Sequence, residues 1–221
     1  MKNLFKKIAL TLTLLMSIST IPVLANTDSK ETLADVQKKI KHLEKQYGIE
    51  FIYNIDEINQ NTDNIYQNIS SLEELEKSLP TLIEETSKPI ELEEQFVYLN
   101  NARMTRSTSG VATLYSYSEP GSGLKVKHSF TGGYKISNGK KYWTSMNGSS
   151  IAQHSSTGYS KLGEIKKKST TLSSDKTYCT MSYEYEVNHY VTLPVPVLNK
   201  VGVKISTSPV KGKINFLASK I

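Results

Sequence analysis

The sequence predicts an α+β chain, with a small helical α/β unit at the N-terminal end followed by an all-β antiparallel sandwich, a barrel being the alternative. Three observations carry this expectation. Apolar residues recur at helical spacing in the first half, they alternate at period two in the second, and the charge changes sign where the periodicity changes. From Asn26 to Arg103 there are 8 Lys and Arg against 16 Asp and Glu, whereas from Met104 to Ile221 there are 16 against 5. The formal +6 of the 221 residues conceals this split. An acidic unit joined to a basic one predicts either mutual attraction or an anionic partner for the basic unit alone.

The chain opens with a secretory signal. Lys2, Lys6 and Lys7 form its positive end, Ile8 to Met16 its apolar centre, and Pro22-Val23-Leu24-Ala25 a small-residue cleavage site. Thr11, Thr13, Ser17, Ser19 and Thr20 break the run too often for a retained anchor, which needs roughly 18 or more consecutive apolar residues. Cleavage after Ala25 predicts a secreted, extracellular product with no transmembrane segment. The style of the signal is bacterial. The single cysteine, Cys179, cannot form an intramolecular disulfide, so packing alone must hold an exported chain of this kind.

Residues 26–99 form the acidic unit. Asp28-x-x-Glu31 resembles a capping box, and Leu33, Val36, Ile40, Leu43 and Tyr47 then mark one helix face up to Gly48, a C-cap. Ile49 to Asn54 reads as a short buried strand, followed by an Asn-rich loop to about Asn68. A second helix starts at Ser70 or Ser71, each with Glu three residues on, and carries Leu72, Leu75, Leu79, Leu82 and Ile83. Pro80 is expected to kink it or to start a new turn. Ile90 to Leu99 fits helix or strand equally. Residues 100–110 read as a linker holding the chain's only arginines, Arg103 and Arg106, where an exposed segment would be open to proteolytic processing.

Residues 111–221 form the basic β unit, with about eight short strands expected. Val111 to Tyr117, Leu124 to Phe130, Tyr178 to Val187 and the segments from Val201 and Val210 show strand patterning. Glu119 to Gly123, Gly132-Gly133, Asn138-Gly139, Asn147-Gly148 and Ser208-Pro209 read as turns. Leu193-Pro194-Val195-Pro196-Val197 belongs on a sheet edge or in an extended crossing, because each proline removes a ladder donor. Cys179 alternates with Met181, Tyr183, Tyr185 and Val187 and is read as a core residue.

Catalytic spacing is missing. There is no His-Glu-x-x-His pair, no nucleophile elbow and no continued glycine-rich phosphate loop. Glu184 and Glu186 read as the solvent face of a strand, and a Cys179-His189 pair lacks an orienting third group. No cofactor or metal is expected, and the chain leans away from enzymes. The cationic signal is stronger: Lys140, Lys141, Tyr142 and Trp143 with Lys166, Lys167 and Lys168 form the candidate binding residues for an anionic cell-surface polymer or membrane surface. Nucleic acid is not expected, for want of arginines and of a recognition motif. The leading expectation is a secreted non-catalytic binding protein; the alternative is a toxin or antimicrobial whose acidic prosegment is removed near Arg103 or Arg106. A cell-envelope hydrolase using Glu184, His189 or Cys179 ranks third.

Overall fold

The computed structural model describes residues 32–53, 69–97, 108–121, 123–156, 159–195 and 199–221. The expected export signal with Ala25, the Asn-rich loop and the segment holding Arg103 and Arg106 lie outside the described residues. Two helices and a majority of strand make up the rest.

Helix α1 (Leu33–Tyr47) buries Val36, Ile40 and Leu43 on one face and stops at Gly48, whose φ of +66° lets its N–H return to the Glu44 carbonyl at 2.9 Å. Strand β1 (Glu50–Ile52) follows, and then helix α2 (Leu72–Thr86). The N-cap of α2 is Ser71, which accepts from the Glu74 N–H at 3.1 Å while the Glu74 carboxylate reaches back to the Ser70 N–H at 2.7 Å. Both candidate capping serines are therefore used. Pro80 does not end α2: residues Glu76 and Pro80 are exposed, so the carbonyl that proline leaves unpaired faces water. The ambiguous segment after α2 resolves into two short strands, β2 (Ile90–Glu91) and β3 (Gln95–Phe96).

Six long strands follow as two three-stranded meanders: β4 (Ser109–Gly121), β5 (Leu124–Ser137) and β6 (Lys140–Ser156), then β7 (Ser160–Leu172), β8 (Tyr178–Val195) and β9 (Asn199–Leu217). One sheet has the order β4-β5-β6; the other runs β1-β9-β8-β7, with β2 and β3 adding parallel to β9 and every other pairing antiparallel. Side chains of both sheets meet in one apolar cluster, among them Leu114, Phe130, Trp143, Met181, Tyr185, Ile214 and Phe216. A second cluster joins the helices to the far end of the β8-β9 hairpin, where Val191, Leu193, Val195, Val201, Val203 and Ile205 pack with Val36, Ile40, Leu75 and Leu79. The acidic segment thus completes its core with residues of the basic one.

The strands are fewer and longer than the turn signals predicted. Asn138-Gly139 is a hairpin turn, both residues having positive φ (50° and 72°). Gly132-Gly133, Asn147-Gly148 and Ser208-Pro209, however, lie inside strands. The first two pairs sit at register shifts between β5 and β6, where β-bulges absorb extra residues of β6. A Cβ on Gly132 would stand 2.6 Å from the Ser145 carbonyl oxygen and 2.9 Å from Trp143, so glycine there admits the indole. In β9 a shift opposite His189/Tyr190 inserts one residue. The inward positions therefore change from 201, 203 and 205 to 208, 210, 214 and 216, a change of parity that a turn would also produce. Pro209 pairs with Glu186 on β8, and the other edge of β9 is paired only at 202–204 and from 210 onward. Pro194 lies where β8 has only β9 beside it, which matches the edge position its missing donor demands.

Candidate functional site

The lysines singled out by the sequence do not form one patch. Lys140 and Lys141 open β6; Lys140 is exposed, while Lys141 donates to the backbone oxygen of Ile221 and is half-buried like Tyr142. Lys168 meets β6 at Ser149, donating to its carbonyl at 2.6 Å, roughly 25 Å along the strand from Lys141. Lys166 is held by Glu164 and by Glu186 at 3.2 Å, and these two carboxylates raise its pKa. Lys167 is exposed and lies opposite Glu184, which also pairs with Lys211 at 3.6 Å.

Trp143 corrects an expectation. It is 0% exposed, donates from Nε1 to the Phe216 carbonyl at 2.9 Å and meets Phe130 edge-on at 4.9 Å, so it is core and not a contact for a ligand.

Glu184 lies 3.6 Å from Lys211 and Glu186 3.2 Å from Lys166. Cys179 is buried, burial pushes its thiol up to about 11, and ten strand residues place it roughly 33 Å from His189. His189 is sealed between two serines, with Nδ1 3.0 Å from Ser160 Oγ and Nε2 2.9 Å from Ser208 Oγ. Ser208 gives its proton to the Thr86 carbonyl, so its oxygen accepts from His189 Nε2–H, and Ser160 donates to the bare Nδ1. Ser160 is fully buried, which denies it a substrate. His128 is also buried, its Nε2 2.8 Å from Ser118 Oγ, which in turn lies 3.1 Å from the Tyr185 hydroxyl. Burial lowers both imidazoles to about 4 and raises the Tyr185 phenol to about 12. Among the described residues no group of three or more His, Cys, Asp or Glu is placed to hold a metal ion.

A different arrangement stands on the outward face of β4-β5-β6. Strand alternation sends Leu114, Ser118, Val126, His128 and Phe130 inward, and so turns Thr113, Tyr115 and Tyr117 of β4 outward beside Lys125, Lys127, Ser129 and Thr131 of β5. Diagonal pairing puts the Lys125 ammonium 5.0 Å from the Tyr117 ring centroid and the Lys127 ammonium 4.6 Å from that of Tyr115. Glu119 approaches Lys125 at 3.4 Å. The exposed His154 ring of β6 packs against Tyr117 with centroids 4.7 Å apart. Between these groups the surface is low and hydroxyl-rich: Thr113 and Thr131 are bonded at 2.8 Å, Ser129 and Ser150 at 2.7 Å, and Gly148 and Ala152 continue the row on β6. Each hydroxyl pair retains one free O–H donor.

The sequence reading passed over Tyr115, Tyr117, Lys125, Lys127 and His154. The signal was present: Tyr-x-Tyr and Lys-x-Lys flank the Glu119–Gly123 turn, and a hairpin closing there sets one pair against the other. A groove between the helices, lined by Asp35, Lys38, Lys39, His42, Glu73 and Glu76, carries both signs of charge and is spanned by the Lys39–Glu73 ion pair at 2.6 Å.

No protein-family model matches the chain, and no curated protein does. Among solved structures it is similar to a two-domain protein of unknown function from Bacteroides thetaiotaomicron, at 15% sequence identity and a TM-score of 0.31. The match covers 49% of this chain and 47% of that one, so the likeness spans about half the length of each.

Proposed function

We propose that this is a secreted, non-catalytic binding protein whose basic β unit engages an anionic extracellular polymer through the outward face of β4-β5-β6. The carrying observation is the pair of lysines poised over tyrosine rings on an open sheet face. Rings that hold the ammonium groups limit the side-chain entropy lost when an anion binds. The acids of the N-terminal half are concentrated elsewhere: 8 Asp and Glu against 2 Lys lie between Leu72 and Glu94. Lys140 and Lys167 add to the positive field without forming the site. In the same reading the two sheets, sharing one apolar cluster, form a sandwich rather than a closed barrel.

The test is co-sedimentation of the full chain with purified anionic cell-envelope polymer over a salt series. Affinity is expected to fall on the order of tenfold from low to physiological salt. Binding independent of salt, or none, would overturn the reading.

A second reading has one observation in its favour. Helices α1 and α2 cover an apolar stripe of the β8-β9 hairpin, Val191, Leu193, Val195, Val201, Val203 and Ile205. An acidic prosegment removed near Arg103 or Arg106 would bare that stripe, the kind of surface that seeks a membrane. A fragment beginning at Ser107 is then expected to release dye from anionic vesicles where the intact chain does not. Equal inactivity of the two would end this reading.

A further inference from the structure

We infer that the outward face of β4-β5-β6 is a glycan platform, and that its ligand is a polysaccharide whose sugar rings carry carboxylates. The inference rests on the polymer-binding reading and names the chemical class that fits this face.

Three features select the class. The first is charge density. Beside the tyrosine rings the full positive charges are Lys125 and Lys127, with Lys135 on the same face of β5 but toward the Asn138-Gly139 turn and Lys168 at the β6 edge, and Glu119 draws on Lys125 at 3.4 Å. A densely charged polyphosphate would meet too few cations and one repelling carboxylate, whereas a chain with well-spaced carboxylates finds two ammonium groups roughly 7 Å apart along β5.

The second feature is the hydroxyl row. Thr113 with Thr131 and Ser129 with Ser150 leave outward donors and lone pairs on a flat strip that also includes Gly148 and Ala152. A sugar offers hydroxyls all round its ring and can meet such a strip at every residue. A membrane surface, by contrast, requires bulky apolar side chains for insertion. The exposed examples on these strands, Val111 (66%) and Met146 (47%), lie at the other end of the sheet, beside Gly133 and Gly132.

The third is the aromatic step. Tyr117 and His154, rings 4.7 Å apart at 50°, stand at the end of the strip. The imidazole is exposed two residues beyond Ala152 on β6, and an aromatic face of this kind attracts the partly positive C–H bonds of a sugar ring. Lys127 flanks the same position, being paired directly with Ala152.

The experiment uses the full chain and isothermal titration with three probes: polygalacturonate, its fully methyl-esterified form, and long-chain inorganic polyphosphate. Polygalacturonate is expected to bind at least tenfold tighter than either of the others. Tyr117→Ala and Lys127→Ala are each expected to weaken it about tenfold. Ala152→Glu, a surface change that leaves the core untouched, is expected to abolish it, while Lys166→Ala changes it less than twofold. Wild-type affinity in both Lys127→Ala and Ala152→Glu would overturn the placement. Tighter binding of polyphosphate, lost in those same variants, would overturn the glycan class and leave the polymer-binding reading standing. Failure of every polyanion to bind would overturn both.

Discussion

Trp143→Ala is expected to lower stability by about 3–5 kcal/mol, the range for removing a large aromatic side chain from a packed core. The indole is fully buried, meets Phe130 edge-on at 4.9 Å and gives its Nε1–H to the Phe216 carbonyl at 2.9 Å. Truncation would leave a cavity between the two sheets and a buried carbonyl without its partner. The site cannot easily collapse, because Gly132 lies against the indole and has no side chain to move into the space. Urea unfolding read by circular dichroism is the measurement, and a loss below about 1 kcal/mol would show that the sheets do not share this core. Polymer affinity of the folded fraction should remain unchanged, which separates the indole from the lysine patch with which the sequence grouped it.

The second large effect is acid destabilisation by His128 and His189. Burial lowers each from 6.5 to about 4, so the unfolded chain binds the proton more readily than the native one. The stabilisation is present in full above about pH 6.5 and is lost progressively as the pH falls toward about 4. Each imidazole should remove about 2 kcal/mol between pH 7 and pH 5, so that together they take a sizeable part of the 5–15 kcal/mol typical of a domain. His189 matters doubly. Its Nδ1 is occupied by the Ser160 proton and its Nε2–H by Ser208, which holds the Thr86 carbonyl at the end of α2, so charging it disturbs both the sheet and the helix docked on it. Among the described residues His128 Nδ1 has no hydrogen-bond partner, and the ring packs on Tyr183 at 4.3 Å, leaving a charge there with little to solvate it. Unfolding free energies at pH 7 and pH 5, repeated in His128→Gln, decide the matter: the variant should lose about half of the pH dependence. An unchanged slope in that variant would mean that other groups carry the effect.

Local signals made much of the fold legible. Ser70-Ser71 followed by Glu74 gave the start of α2 because a cap is a contact among neighbours in sequence. Asn138-Gly139 gave a turn because two successive positive φ angles suit those residues. Alternation at Cys179 to Val187 gave a buried strand face, and Cys179 lies in it. Gly132-Gly133 and Asn147-Gly148 misled, since a bulge and a turn draw on the same residues and differ only in whether the partner strand continues past them, while Ser208-Pro209 stands in regular register with Val187 and Glu186. The candidate site was harder to read. Runs such as Lys166-Lys167-Lys168 are conspicuous in sequence, but Glu164 and Glu186 hold Lys166 while Ser149 takes Lys168.

Sequence alone therefore determined the helical period of α1 and α2 and the alternation of β4, β5 and β8, the sign of each half's charge, the cap of α2 and the tight hairpin, all of them properties of residues within a few positions of one another. Only the tertiary structure decided that Trp143 is core, that the helices finish their apolar cluster on the β8-β9 hairpin, and that Lys125 and Lys127 lie over tyrosine rings on an open face. Those are pairings between residues distant along the chain, and they depend on strand register. A single inserted residue in β9 reverses which side chains face inward, and no local pattern records which partner strand absorbs it.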